Sequence, residues 1–247
     1  MRHRLKCIIL LLFAATVAAC TPSEPQSDRL ATSKVFPKPY RPVSQAGDTQ
    51  FSNEVARDEA GEAKFVMDWA GIKPGTTVAD IGAGEGYYTV RLAERVGDNG
   101  RVLAQDINRG ALDRLGERVS RDRLDNVAIK EGAFDDPRLP KNSFDRVFMV
   151  HMYHEIGEPY AFIWRLRSAL AKNGQVIVVD RDRPTDQHGI APKMLFCEFE
   201  AVGYKLTGFN EQLNLGGYMA RFELAGTRPR PAKIKPCGTA VKNSPDS

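Results

Sequence analysis

The chain has 247 residues, of which 42% are hydrophobic, and its formal net charge is +4. This length is enough for one domain with a full hydrophobic core. The 35 basic residues are nearly balanced by 31 acidic ones and do not cluster on a helix, which argues against nucleic acid as a substrate.

The first twenty residues have the three parts of a secretory signal. Basic residues at positions 2, 4 and 6 precede an apolar run at positions 8–15, and small residues lead to Cys20. The run is far shorter than the roughly 20 residues that a permanent transmembrane helix needs. Residues 17–20, Val-Ala-Ala-Cys, resemble the lipobox of bacterial lipoproteins, whose cysteine is acylated and becomes the new N-terminus. The resemblance implies lipidation of Cys20 and a lipid-anchored protein on the periplasmic side of the bacterial cell envelope, at the outer membrane where two membranes exist.

Composition divides the chain into four parts. Residues 1–19 are the predicted signal peptide, 20–50 a flexible tether rich in Pro, Ser and Gln, 51–226 the folded domain, and 227–247 a disordered tail rich in Pro and Lys. Cys197 is predicted to be a small core residue of a helix, and Cys237 lies in the tail. No disulfide is therefore predicted.

The central feature is a strand, a glycine turn and a helix between residues 77 and 96. The apolar run Thr77-Val78-Ala79-Asp80-Ile81 is followed by glycines at positions 82, 84 and 86, and then by an amphipathic pattern. Glycine accepts positive φ and lets a bound group approach bare backbone. The first N–H groups of the following helix face the same place. The pattern therefore predicts a ligand site at this turn.

The turn resembles the first motif of the class I S-adenosylmethionine-dependent methyltransferases. Its glycines follow G-x-G-x-G with an acid two residues ahead, whereas dinucleotide-binding turns follow G-x-G-x-x-G. The resemblance extends over about residues 53–224 and implies an α/β fold with a doubly wound, mostly parallel seven-stranded sheet and a C-terminal antiparallel hairpin. It also implies S-adenosyl-L-methionine as the cofactor, held in part by Asp80, Gly82, Gly84, Gly86 and Tyr87.

A second strand-like run, residues 101–105, ends in Asp106. An acid at the end of the strand beside the glycine turn can accept hydrogen bonds from both hydroxyls of a ribose. The resemblance gives this role to Asp106 and places Ile107 against the adenine. The alternative for Asp106 is an N-cap of the helix that begins near Arg109.

A third block, residues 131–150, contains an acidic loop, a Leu-Pro pair and a Phe-Asp-x-Val strand, in the order found in many of these methyltransferases. The family's usual Gly-Asp-Ala is absent, because alanine follows Gly132 and the acids come later. Adenine recognition is therefore predicted at Phe134 and Asp135. For Asp136, a turn before the following proline is an equally good interpretation.

The segment His151-Met152-Tyr153-His154-Glu155 follows the fourth strand, where the crevice of an open α/β sheet is expected. Tyr153 and His154 are the candidate catalytic residues, because either could orient an acceptor or take its proton. His151 is predicted on the cofactor side. The alternative is structural, with His154 capping or packing against the next helix.

No metal is predicted at this segment, because its His-x-x-His pattern lacks a third clustered ligand and the chain offers no Cys pair there. A later cluster could contact an acidic acceptor, although a solvated loop explains it better: Arg181, Asp182, Arg183 and His188.

Together these features predict an S-adenosylmethionine-dependent methyltransferase that acts on a small-molecule acceptor and is held at the membrane by its lipid. The alternative is a catalytically silent lipoprotein of the same fold that binds an adenosyl ligand. Intact Asp80, Asp106 and turn glycines favour the enzyme, and the glycine spacing disfavours a nicotinamide-dependent oxidoreductase. Export leaves the supply of cofactor open, because S-adenosylmethionine is made where ATP is, in the cytoplasm.

Overall fold

The sheet contains seven strands: Thr77–Ile81 (β1), Arg101–Asp106 (β2), Val127–Glu131 (β3), Phe144–Val150 (β4), Leu170–Asp180 (β5), Tyr204–Gln212 (β6) and Gly217–Leu224 (β7). Their order is β3-β2-β1-β4-β5-β7-β6. The first five pair in parallel, whereas β7 runs antiparallel to both β5 and β6. This computed structural model describes residues 29–44, 53–212 and 217–238. The predicted mostly parallel sheet with a C-terminal hairpin is confirmed.

Within the described residues, six α-helices flank the sheet: Glu54–Glu59 (α1), Glu62–Trp69 (α2), Tyr87–Val96 (α3), Arg109–Arg121 (α4), Pro159–Leu166 (α5) and Pro192–Ala201 (α6). Alternate strand residues face opposite layers, as the pleat requires. In β4, Val147 and Met149 join the core beneath α5 and α6, whereas Phe148 packs towards α2 and α3. The sheet is therefore covered on both faces, and its ligand crevice lies beyond the carboxyl ends of the parallel strands. No helix in the described part of the chain is long and apolar enough to cross a membrane.

Residues 29–44, which we call the N-terminal segment, pack on the domain. The Arg29 guanidinium lies 2.6 Å from the Glu158 carboxylate, and Arg41 forms a buried ion pair with Glu198 at 2.7 Å. Phe36 is buried and meets the edge of Trp164. The predicted flexible tether at 20–50 is therefore wrong for this segment, because its partners lie more than a hundred residues away in sequence. The predicted signal peptide and Cys20 lie outside the described residues.

The tail is ordered as far as Gly238, contrary to the prediction for residues 227–247. Trp164 Nε1 donates a hydrogen bond to the Pro229 carbonyl, and the Cys237 N–H donates to the Tyr160 hydroxyl. Cys237 also forms a disulfide with Cys197 on α6. The prediction of no disulfide was wrong, because the composition of the tail did not indicate that it packs against α6. Residues 239–247 lie outside the described part of the chain.

The disulfide predicts a loss of stability when it is removed. The two cysteines are 40 residues apart in sequence. Joining them lowers the entropy of the unfolded chain and so raises the free energy of unfolding by about 2–4 kcal/mol. We expect Cys237→Ser to lower the free energy of unfolding by about that amount in urea titrations. Dithiothreitol, which reduces the disulfide, should lower the free energy of unfolding of the wild type by the same amount. It should not change the stability of the variant, which has no disulfide to reduce. A variant as stable as the oxidised wild type would contradict the prediction.

Candidate functional site

The glycine turn joins β1 to α3 at the carboxyl edge of the sheet. Gly82, Gly84 and Gly86 have φ of 68°, 54° and 90°, a region that other residues rarely adopt. A Cβ atom on Gly82 would lie 2.8 Å from Met152 Cγ, and one on Gly86 would lie 2.4 Å from Leu115 Cδ1. These two glycines thus make room for packing within the protein. A Cβ on Gly84 would meet nothing within 4 Å, so this glycine borders open space that a ligand can occupy.

Asp106 ties this turn to the end of β2. Its Oδ2 accepts a hydrogen bond from the Gly84 N–H at 2.8 Å, and its Oδ1 accepts from the Asn108 N–H at 2.8 Å. The helix N-cap is Asn108, whose side chain accepts from the Ala111 N–H, so the capping alternative for Asp106 is wrong. A carboxylate has about four lone-pair sites, which leaves two for a ribose diol beside the turn.

Exposed apolar side chains lie beyond Asp106. Ile107 is 36% exposed and Phe134 is 67% exposed, so both remain accessible to a ligand, and their contact with an adenine ring stays a prediction. Asp136 Oδ1 accepts a hydrogen bond from the Arg138 N–H at 2.7 Å. This contact is the one expected of a turn, so the side chain has the structural role that the sequence offered for it.

Asp135 does not face this space, contrary to the prediction. Its Oδ2 accepts hydrogen bonds from the hydroxyls of Thr32 and Ser33, at 2.6 and 2.8 Å, and lies 2.8 Å from Arg165 Nη1. Burial favours its neutral form, but these hydrogen bonds and Arg165 outweigh burial and lower the pKa of Asp135. The side chain therefore fixes the N-terminal segment instead of an adenine.

Asp80 lies beneath the turn, within the core. It is 3% exposed, and its Oδ2 accepts a hydrogen bond from the Thr89 hydroxyl at 2.6 Å. Burial, with a smaller contribution from the negative charge of Asp106, raises the pKa of Asp80 to about 7 despite the Thr89 bond. Asp80 thus joins β1 to the first turn of α3 and sets the shape of the loop between them.

Tyr87 contacts α1 rather than the open side of the turn, which corrects its predicted cofactor role. Its hydroxyl donates to Asp58 Oδ1 at 3.0 Å, and its ring lies between two guanidinium groups, 3.7 Å from Arg57 and 3.9 Å from Arg91. Tyr87 is 5% exposed. It therefore holds α1 against α3.

His151 lies between β4 and α2. Its Nε2 is 3.6 Å from Glu62 Oε1, whereas its buried Nδ1 has no hydrogen-bond partner among the described residues. Burial alone would raise the pKa of Glu62, but the nearby His151 ring and hydrogen bonds from Arg57 lower it to about 2. The unpaired His151 Nδ1 and the open face of Gly84 fit a polar adenosyl cofactor that would complete the contacts of this nitrogen.

Tyr153 is fully buried, so its predicted contact with an acceptor is wrong. Its hydroxyl donates to Glu198 Oε2 at 2.7 Å, beside the Arg41 guanidinium. Burial raises the pKa of this phenol, and the negative Glu198 raises it further. Tyr153 thus joins the short 3-10 helix Tyr153–Glu155 to α6.

His154 is 3% exposed and pairs with a residue that the sequence reading did not select. Its Nδ1 lies 2.9 and 3.0 Å from the two carboxylate oxygens of Asp180, at the end of β5. The His188 ring is 5.9 Å away, nearly perpendicular. The fold thus brings His188, a third side chain that can bind a metal, to His154 and Glu155. The sequence analysis predicted no metal here because a third ligand was lacking, and that reason no longer holds. An aspartate at the end of an apolar strand was the available signal for Asp180, whereas His188 was considered only as part of a loop cluster, and no local pattern paired it with His154.

Asp80 predicts a pH dependence of stability. Its pKa is about 7 in the folded protein against an ordinary value of 3.8, so the folded protein keeps a proton that the unfolded chain releases. Between about pH 4 and about pH 7 the free energy of unfolding should therefore fall as the pH rises, by up to about 1.4 kcal/mol per pH unit. Asp80→Asn cannot titrate but can still accept from Thr89. Urea titrations should show a flatter profile for the variant, and parallel profiles would contradict the prediction.

Comparison with known proteins agrees with this geometry. A family model described as a methyltransferase domain matches residues 78–174. The ubiquinone/menaquinone biosynthesis C-methyltransferase UbiE of Shewanella oneidensis is 26% identical over 133 residues, which cover 53% of this chain and 52% of the relative. The 2-phytyl-1,4-naphtoquinone methyltransferase of Nostoc is 28% identical over 125 residues, which cover 50% of this chain and 55% of the relative. The chain thus spans about half the length of these curated relatives.

Solved structures share the fold. A SAM-dependent methyltransferase from Aquifex aeolicus superposes with a TM-score of 0.65 at 22% identity, covering 78% of this chain and 98% of that one. The cyclase SpnF superposes with a TM-score of 0.60 at 14% identity, covering 78% and 91%. At these identities the likeness concerns the fold alone, which therefore does not fix the reaction. The sequence match is more specific: residues 78–174 match the model of a methyltransferase domain, and the curated relatives over this part of the chain are methyltransferases.

Proposed function

We propose that the protein transfers a methyl group from S-adenosylmethionine to a small organic acceptor, and that it does so as an exported, lipid-anchored enzyme. The contact between Gly84 and Asp106 supports the cofactor assignment best. It places an open glycine face and a carboxylate with free lone pairs side by side at the carboxyl edge of the sheet.

The residues of the chain would mainly align the reactants. The cofactor supplies an electrophilic sulfonium methyl group, so its transfer depends chiefly on alignment. Asp106 would hold the ribose, and Ile107 and Phe134 would cover the adenine. His151, through its unpaired Nδ1, would hold a polar group near the methionine end.

The acceptor would lie beyond β4 and β5. His154 follows β4, and the Asp180 carboxylate at the end of β5 holds its Nδ1. Because a carboxylate accepts, Nδ1 carries the ring proton, and the pair with Asp180 orients the buried His154 ring at this end of the sheet. The relatives' names mention ubiquinone, menaquinone and a naphthoquinone, which supports an acceptor with a quinone-type ring.

Two features support the proposed export. The Cys197–Cys237 disulfide suits an oxidising compartment, since disulfides are rare in the cytosol. The signal-like residues 1–20 supply a route there. Only residues 21–28 separate Cys20 from the packed Arg29, so a lipid on Cys20 would hold the domain within about 30 Å of the membrane.

The cofactor assignment predicts a selective effect at Gly84. A valine there would fill the open space and weaken S-adenosylmethionine by about 100-fold or more, or about 2.7 kcal/mol. Gly75→Val is the matched control, because Gly75 also has positive φ and open space but precedes β1, at the opposite edge of the sheet. Both variants should lose about 1–3 kcal/mol of stability to backbone strain. Calorimetric titration should show cofactor binding in the wild type and Gly75→Val only. Equal affinity in all three would overturn the cofactor assignment.

Lipidation predicts labelling at one cysteine. In cells fed a palmitate analogue, the wild type should be labelled and Cys20→Ser should not. Cys7→Ser is the control and should be labelled like the wild type, because residue 7 is removed with the signal peptide. More than one acyl chain gives stable attachment, so the labelled protein should sediment with membranes. Unlabelled wild-type protein in the cytoplasm would refute export while leaving the cofactor titration unaffected.

A further inference from the structure

Two histidines and a glutamate meet at the carboxyl edge of the sheet, outside the glycine turn. His154 and Glu155 lie in the 3-10 helix Tyr153–Glu155 after β4, and His188 follows the 3-10 helix Thr185–Gln187 after β5. One ligand atom from each lies within 4.8 Å of the others. His154 is buried and the other two side chains are half-buried. The cluster is thus sheltered, unlike a group of surface acids.

Asp180 prepares His154 to act as a ligand. This aspartate is fully buried, and its carboxylate accepts from the Arg181 N–H at 2.8 Å as well as from His154 Nδ1. The ring proton is therefore held on Nδ1, and the lone pair on Nε2 faces the cluster, with Glu155 Oε1 3.9 Å away. A carboxylate behind the distal nitrogen is the common support of histidines that bind metals.

The backbone fixes His188 as well. Its φ is 54°, and its N–H donates a hydrogen bond to Ser44 Oγ in the N-terminal segment. The following loop is closed by the Ile190 N–H, which donates to the Arg181 carbonyl. The positive Arg41 near the cluster is paired with Glu198 and donates to the His154 and Ile156 carbonyls, so its charge is compensated. The three ligand-bearing residues are therefore held in place by the fold.

We propose that His154 Nε2, Glu155 and His188 bind one divalent transition-metal ion. Two imidazoles and one carboxylate are the protein ligands of catalytic zinc sites and of non-haem iron sites. Ligands at about 2.0–2.2 Å from zinc lie about 3.4 Å from one another in a tetrahedron, so the side chains must close by about 1 Å. Three protein ligands leave a position open for water or an oxygen atom of a bound molecule. The site stands whether or not the protein transfers methyl groups.

Zinc titration of the full-length chain, purified without a histidine tag and stripped with chelator, tests the site. Calorimetry without S-adenosylmethionine should give one equivalent of bound Zn²⁺ for the wild type. We expect His188→Ala and Glu155→Gln to weaken it by at least about 100-fold, and Asp180→Asn by about 10–100-fold. His151→Ala and Gly84→Val, which lie outside the cluster, should keep wild-type zinc affinity. Thermal melts of the stripped proteins check that each variant is folded.

Cobalt(II) provides a second readout, because its visible absorption reports the ligands directly. The wild-type complex should show the bands of a four- or five-coordinate site, and His188→Ala should lose them. No zinc binding by the wild type, or undiminished binding by folded His188→Ala and Glu155→Gln, would overturn the proposal. Preference for Mg²⁺ over Zn²⁺ would also overturn it, since magnesium selects oxygen ligands.

Discussion

Three parallel strands bring an aspartate to the same edge of the sheet, and each carboxylate needs a partner there. Asp80 lies near the end of β1, Asp106 ends β2, and Asp180 ends β5. Burying an unpaired carboxylate costs several kcal/mol, so the neighbouring chain must supply donors. The Thr89 hydroxyl donates a hydrogen bond to Asp80, the Gly84 N–H donates to Asp106, and His154 Nδ1 donates to Asp180. These three pairings shape the glycine turn, the proposed cofactor side and the end of the sheet where β4 and β5 finish.

A second set of buried charges joins the N-terminal segment to this edge. Glu198 on α6 accepts from the Tyr153 hydroxyl and pairs with Arg41. Removing one partner of such a buried pair costs about 3–5 kcal/mol, because the other charge is left uncompensated. The same segment contacts Asp135 through Ser33 and the His188 N–H through Ser44. Residues 29–44, which lie between the proposed lipid site and the domain, are thus part of the folded unit.

The sequence could predict the site only where its residues contact backbone that is close to them in the chain. The glycine turn and Asp106 were found because strand, turn and helix follow one another within 30 residues. Asp135 and Tyr153 were assigned to ligands because they stand in the correct loops, yet both are bound by side chains from distant elements. Local position shows which loop reaches the crevice, but not which way a side chain points.

The sequence by itself determined the class of fold, and it predicted the cofactor and the turn that would hold it. Apolar runs predicted the strands and glycine spacing predicted the turn, whereas the mostly parallel seven-stranded sheet was implied by the resemblance to the class I methyltransferases. Only the tertiary structure decided that residues 29–44 and the tail pack on the domain, that Cys197 meets Cys237, and that His188 meets His154. The reason is physical: periodicity and turn chemistry act between near neighbours, whereas these pairings bring together residues 34 to 157 positions apart, through burial and charge compensation that no local pattern encodes.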